Sequence, residues 1–457
     1  MVGRTDAARS LAATLAALVL AVAAGCSTAP PAPLVSSGSS PAAPPNSAAP
    51  PAAPAAPTPT PSVVAPPVPV AEVLADELAG VSRKGIKSSG VVVVDPSTGT
   101  TLASRGDAAL VPASTMKVLT SLAVVDTLGA DATFTTRVVS SREGRLVLVG
   151  GGDPMLTDKQ SKSATRKASL AALAETTVAA LERAGTTSVR LGYDDSLFSG
   201  PAWHPSWKSS WRSYTARVSA LSINGGRSGQ WSVHPDPALT AAKAFAARLK
   251  AAGIKVTAVK PAEAAAGAVT LAEVVSAPLS KIVGHTLRNS DNFVAEVLAH
   301  QVALANGEKG SFAGAAAAVT AWLQAHDLWA DDMVIDDGSG LSSRSRVRPS
   351  VLVGAISLAL VTPRLASVPA GFPVAGVNGT LKDRFDDTSE KAGRKVVHAK
   401  TGTLLGVASL AGYVTTADGA TLAFAAMANK AAGRDTAYNW LDRTATVLAR
   451  CGCRTEG

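Results

Sequence analysis

The stretch Pro112-Ala113-Ser114-Thr115-Met116-Lys117-Val118-Leu119 decides how the rest of this 457-residue chain is read. From Val118 onward, apolar residues at Leu119, Leu122, Val125 and Leu128 keep the spacing of one helix face, and Gly129 closes the run. Ser114 therefore opens a buried helix. Lys117, three residues on, lies one turn away on the same side. An alcohol and an amine so placed are close enough for the amine to take the serine proton. Partial desolvation, a helix N-terminus and a second cation nearby all disfavour the charged amine, so its neutral form becomes accessible near neutral pH.

Working outward, residues 91–95 are a β-branched run closed by Pro96-Ser97-Thr98-Gly99, which reads as a buried strand and tight turn, with 101–103 completing a hairpin. Residues 396–404, 407–414 and 421–427 read as three antiparallel strands, with Asp418-Gly419 in the second turn and a last helix over 434–449. A helix over 289–305 carries Ser290-Asp291-Asn292 at its start and Val294, Val297 and Leu298 on one face. The expected fold is α/β of the α+β kind: an antiparallel sheet with terminal helices and a helical cluster beside it. The texture changes between about 148 and 280. There Gly150-Gly151-Gly152-Asp153-Pro154 makes a sharp break, helices fit 168–184 and 238–252, and strands fit 189–193 and 255–259. This is read as an inserted domain (148–280) within a catalytic domain formed by 72–147 and 281–450.

Three short motifs thus occur in order: Ser114-Thr115-Met116-Lys117, Ser290-Asp291-Asn292 and Lys400-Thr401-Gly402. The oxyanion formed when Ser114 attacks a carbonyl needs fixed donors, and the backbone N–H groups of Ser114 and Thr403 are the candidates. Gly402 is expected to let substrate approach the strand closely. Thr401 and Thr403 offer hydroxyls to a carboxylate, with Lys400 adding charge.

These motifs are those of penicillin-binding proteins and class A β-lactamases. The chain resembles the class C penicillin-binding proteins of the type-4 group, D-alanyl-D-alanine carboxypeptidases and endopeptidases with a penicillin-binding/β-lactamase-like catalytic domain. Gly152-Asp153-Pro154-Met155-Leu156, Asp337-Gly338-Ser339-Gly340-Leu341 and Lys400-Thr401-Gly402-Thr403-Leu404 extend the likeness. The resemblance implies that Ser114 is the acylated nucleophile, Lys117 its base, Ser290 a proton relay to the leaving amine and Asn292 a holder of the substrate amide. Lys400 would fix charge in the groove. Asp153 is either a contact for the amine of a diamino-acid side chain or a turn residue, and Arg344 and Arg346 are candidate carboxylate ligands. The partners implied are peptidoglycan peptides, with β-lactams as inhibitors, and no cofactor. A β-lactamase on the same fold is a rival, but the Glu-x-x-x-Asn that drives class A deacylation is absent from the sequence. A catalytically idle wall-binding protein is the other.

Composition narrows the setting. Lys and Arg total 43 against 34 Asp and Glu, a formal +9, yet no basic run reaches five residues, which argues against nucleic acid; anionic wall polymers are a more natural neighbour, and a solvated surface with no electrostatic role is the alternative the composition favours. Six histidines contain no HExxH, so no metal site is expected. Residues 1–26 carry Arg4 and Arg9, an apolar run over 11–24 and Gly25-Cys26, an export signal whose end fits either lipid attachment at Cys26 or cleavage at a small-residue site. Residues 27–71 hold no charge and are rich in Pro, Ala and Ser, a composition that stays extended as a tether. The protein is thus expected outside the cytoplasm, in the bacterial cell envelope. Trp203, Trp207 and Trp211 read as packing, and His398 as a structural or groove-wall residue. Cys451 and Cys453 are too close for a relaxed mutual disulfide, leaving free or externally paired thiols.

Overall fold

The computed structural model describes residues 66–452; the export signal, most of the tether, Cys26 and Cys453 lie outside that range. Ten strands are present among the described residues: β1 Ile86–Val94, β2 Thr101–Ser104, β3 Thr135–Arg142, β4 Arg145–Val149, β5 Ser188–Asp194, β6 Lys255–Pro261, β7 Val269–Val275, β8 Val397–Leu404, β9 Val407–Thr415 and β10 Thr421–Ala431. The α-helices are α1 Ala71–Gly80, α2 Met116–Leu128, α3 Leu170–Arg183, α4 Pro237–Ala251, α5 Leu279–Asn289, α6 Asn292–Ala305, α7 Phe312–Ala325, α8 Pro349–Val361, α9 Ser367–Ala370 and α10 Arg434–Arg450.

The first sheet is antiparallel throughout, in the order β2-β1-β10-β9-β8, so chain segments more than 300 residues apart lie side by side. Both of its faces are covered, which is why the valines of β1 are buried without alternation. Val92 and Val94 face the core shared with α2, α5, α6 and α8, while Val91 and Val93 face the core under α1 and α10. Helix α2 runs through the middle of the first core: Val118, Leu119, Leu122 and Val124 are fully buried, each stabilising the fold by about 1.5–3 kcal/mol. Gly129 ends it at φ 87°, a conformation glycine takes without steric cost.

The second sheet runs β6-β5-β4-β3-β7, with β4, β5 and β6 parallel, and packs α3 and α4 over a core of its own. Its strands extend from Thr135 to Val275. Its strand β3 precedes residue 148 and β4 runs through it, so this sheet starts before the position expected for the insert; the chain has already changed sheets after Gly129.

The helix expected over 289–305 is α6, which starts at Asn292, and a further helix not expected from the sequence, α5, ends just before it at Asn289. Ser290 sits in the joint in the left-handed region (φ 55°, ψ 40°), and the Asp291 side chain caps α6 by accepting from the Val294 N–H. Elsewhere, Trp207 is core, with its indole N–H donating to Asp337 Oδ2 at 2.8 Å, and Trp203 stands edge-on to it. His398 stacks on Tyr413, centroids 4.8 Å apart. Cys451 is disulfide-bonded, which removes the free-thiol alternative for that residue.

Candidate active site

Ser114 lies in a single 3₁₀ turn, Ala113–Thr115, that feeds directly into α2. Ala113 is held at φ 47°, a conformation that costs a non-glycine residue about 1–3 kcal/mol and persists only when its surroundings impose it. Those surroundings are visible. Pro112 O accepts from Thr115 Oγ1 at 2.7 Å and from Ser409 Oγ at 2.6 Å, and Gly340 packs so closely that a Cβ there would collide with Ala113 O. Gly402 does the same from the other side: a Cβ would run into Ser409 Oγ and lie 2.7 Å from Pro112 O and 3.0 Å from Ser114 N. The glycine expected to admit substrate thus admits the turn that carries Ser114, bringing β8 against it.

Lys117 is fully buried and its Nζ reaches three acceptors: Ser114 Oγ at 3.0 Å, Asn292 Oδ1 at 2.6 Å and Ser339 O at 2.7 Å. The ammonium uses all three hydrogens; on losing one, Nζ can accept from the Ser114 hydroxyl instead. Burial drives its pKa down to about 8, against the opposing pull of Asp337, Glu296 and Asp291. The residue that sets this geometry from behind is Glu296, one helical turn after Asn292 on α6. It is fully buried, and its two oxygens accept from Gly338 N at 3.1 Å and Ser339 N at 2.7 Å, fixing the loop whose Ser339 carbonyl holds Lys117. Burial, and then the neighbouring Asp337, push the Glu296 carboxyl up to about 8. Glu296 was not singled out from sequence. Its i+4 spacing from Asn292, facing a loop of small residues whose buried N–H groups need acceptors, is the signal that points to it.

The second serine and second lysine also meet. Lys400 Nζ, fully buried, donates to Ser290 Oγ at 2.9 Å and to Thr401 O at 2.6 Å; burial, helped by the Lys117 charge, holds its pKa well below the usual lysine value. Ser114 opens onto two cavities. The larger, about 670 Å³, is walled by Trp211, Tyr214, Asn292, Leu404 and Leu405. The smaller, about 230 Å³, contains Ser290, Thr401 and Thr403. Asn292 Nδ2 also donates to Tyr214 O at 3.0 Å, tying the Tyr214 wall of the larger cavity to the motif. β8 is an edge strand whose outward backbone groups are used at Val397 and Ala399, by Ala375 N and Pro373 O. At the same two-residue period Thr401 and Thr403 follow in the cavity that Ser114 borders, the Thr401 carbonyl being held by Lys400.

Three expected residues lie elsewhere. Asp153 is only 3% exposed and lines neither cavity; its Oδ1 accepts from Met155 N at 2.8 Å, as a turn residue does, and burial raises its pKa to about 7. Arg344 is exposed and 3.7 Å from Asp336, and Arg346 donates to the Ser343 and Ser345 carbonyls; neither borders Ser114. Among the described residues no group of three metal-ligating side chains is present.

An alcohol held against a buried amine, with a cation-backed edge strand alongside, suits transfer of an acyl group from an amide to the alcohol and then to water. Fold and site together define a serine acyltransferase of the penicillin-binding and β-lactamase type. The chain belongs to the D-Ala-D-Ala carboxypeptidase 3 (S13) family, whose profile matches residues 70–234 and 228–450, and it is a class C penicillin-binding protein of the type-4 group. It is 36% identical to a carboxypeptidase of Mycobacterium tuberculosis over 380 residues, covering 79% of this chain and 80% of that one. It is 31% identical over 439 residues to the D-alanyl-D-alanine carboxypeptidase of an Actinomadura species, covering 76% and 78%. In fold it is similar to the crystal structure of penicillin-binding protein 4 of Haemophilus influenzae, with a TM-score of 0.68 at 22% identity, over 82% of this chain and 98% of that one.

Proposed function

We propose that this chain is a serine D-alanyl-D-alanine carboxypeptidase and endopeptidase that cleaves peptidoglycan stem peptides through an acyl-enzyme on Ser114 and is blocked by β-lactams. The observation that carries the reading is the fully buried Lys117 Nζ 3.0 Å from Ser114 Oγ. The extended peptide adds to the open end of β8. Neutral Lys117 takes the Ser114 proton as Oγ attacks the carbonyl of the penultimate D-alanine. The oxyanion rests between the N–H groups of Ser114 and Thr403. Collapse breaks the peptide bond, and the leaving amine takes a proton through Ser290, which Lys400 backs; water then hydrolyses the ester and restores Ser114. Asn292 orients the substrate amide, while Thr401, Thr403 and Lys400 hold its carboxylate. The β-lactamase alternative lacks support, because none of the described residues lining the two cavities is acidic and both Glu296 oxygens are engaged behind Lys117.

The test is labelling with a fluorescent penicillin alongside D-alanine release from a pentapeptide. Wild type does both; Ser114→Ala does neither. A labelled Ser114→Ala, or rapid release of hydrolysed drug by wild type, overturns the reading. We also propose that residues 1–26 export the chain to the cell envelope, that 27–71 tether it, and that Cys26 is the lipid attachment point. Mass spectrometry of the mature N-terminus separates a lipidated Cys26 from simple cleavage.

A further inference from the structure

We propose that Arg384 and Tyr438 form the outer wall of the leaving-group pocket and restrict it to a small residue with a free carboxylate, so that this enzyme releases terminal D-alanine in preference to opening cross-links. The proposal rests on the assignment of Ser114 above. Thr380, Arg384 and Tyr438 complete the smaller cavity. Every side chain around it ends in a hydroxyl or a guanidinium or, for threonine, carries a hydroxyl beside its methyl, and none is a carboxylate. A cleft furnished only with groups that can donate hydrogen bonds suits an anion. Several of these donors are already fixed: Thr380 Oγ1 is 2.7 Å from Thr401 Oγ1, and Tyr438 Oη is 2.7 Å from Thr403 Oγ1.

The wall itself is braced. Arg384 donates through Nε and Nη2 to Asp442 at 2.8 and 2.6 Å, and its guanidinium lies 3.9 Å from the centre of the Tyr438 ring. Asp442 and Tyr438 both belong to α10, whose Trp440 and Leu441 are buried in the core beneath the sheet. Because Asp442 neutralises Arg384, the arginine contributes a directed donor and a fixed surface, while net charge comes from Lys400. About 230 Å³ equals roughly eight waters at ~30 Å³ each, room for the six heavy atoms of alanine with some hydration. A cross-link places a diamino acid and its peptide there instead, against a wall that cannot retreat without breaking three contacts.

The experiment compares kcat/KM for a pentapeptide, its C-terminal amide and a D-alanyl cross-linked dimer. For wild type, the free acid is expected to exceed the amide by about a hundredfold and the dimer by at least tenfold. Tyr438→Phe, which keeps the ring under Arg384 but loses the Thr403 bond, is expected to cut the acid-to-amide ratio about tenfold, mainly through KM. Tyr438→Ala is expected to bring dimer cleavage to within threefold of the pentapeptide. Equal wild-type rates on pentapeptide and dimer, or ratios unchanged in both variants, overturn the proposal. End-point penicillin labelling of Ser114 keeps the two readings apart: its loss in wild type removes the assignment of the nucleophile, whereas full labelling with unchanged ratios removes only the wall.

Discussion

If Lys117 must be neutral to activate Ser114, the rate of acylation follows the deprotonated fraction of one buried amine. With its pKa lowered by burial from 10.5 to about 8, that fraction is about 1% at pH 6, about 9% at pH 7 and about half at pH 8. At the ordinary value it would be about 0.03% at pH 7, so burial alone raises the reactive fraction by roughly 300-fold. The second-order rate of labelling by a fluorescent penicillin should therefore rise about 50-fold between pH 6 and pH 8 and level off above pH 9, and Lys117→Met should abolish both the rate and the slope. The same shift has a signature in stability. Between about pH 8 and 10.5 the unfolded chain binds more protons at this residue than the folded one, so the contribution of Lys117 makes the wild type more stable as pH rises through that window. Lys117→Met should lose this rise in urea denaturation. An acylation rate that is flat from pH 6 to 9 in a protein that stays folded would refute the assignment of Lys117 as base.

Ser290→Gly keeps the left-handed joint between α5 and α6 and removes only the hydroxyl; stability by urea melts should stay within ~1 kcal/mol while pentapeptide turnover falls about 10²- to 10⁴-fold. Glu296→Leu leaves the buried N–H groups of Gly338 and Ser339 without acceptors at ~1–3 kcal/mol each, so a loss of roughly 2–6 kcal/mol is expected, read as a lower urea midpoint, with slower acylation because Ser339 O no longer anchors Lys117. Gly402→Ala forces a methyl against Ser409 Oγ and Pro112 O; a stability cost of about 1–3 kcal/mol and markedly slower labelling of Ser114 are expected, and a fully active variant would show that the turn does not need this close approach.

What the sequence made legible follows from what was local. Helix α2 announced itself because its apolar spacing and Gly129 act within a few residues, and the strands of the first sheet were readable as β-branched or alternating runs even though their partners are hundreds of residues away. The motif residues could be named because spacing along one helix or one strand fixes which side chains share a face. The parts that escaped depend on contacts that local pattern does not encode. Ser290 breaks a helix in a conformation usually given to glycine, and it is held there by neighbours on both sides, the Lys400 ammonium from a distant strand and the Asp291 cap of the next helix. Gly402 looked like an opening for substrate because a strand glycine signals close approach without saying whose; the approaching groups are Ser409 and the backbone of Pro112 and Ser114. Glu296 lies fully buried among the apolar residues of α6, where a carboxylate reads as an anomaly until the loop at 338–339 supplies its two donors. In each case the unexpected residue sustains a strained or buried feature next to the chemistry, which is where local preference is expected to yield to function.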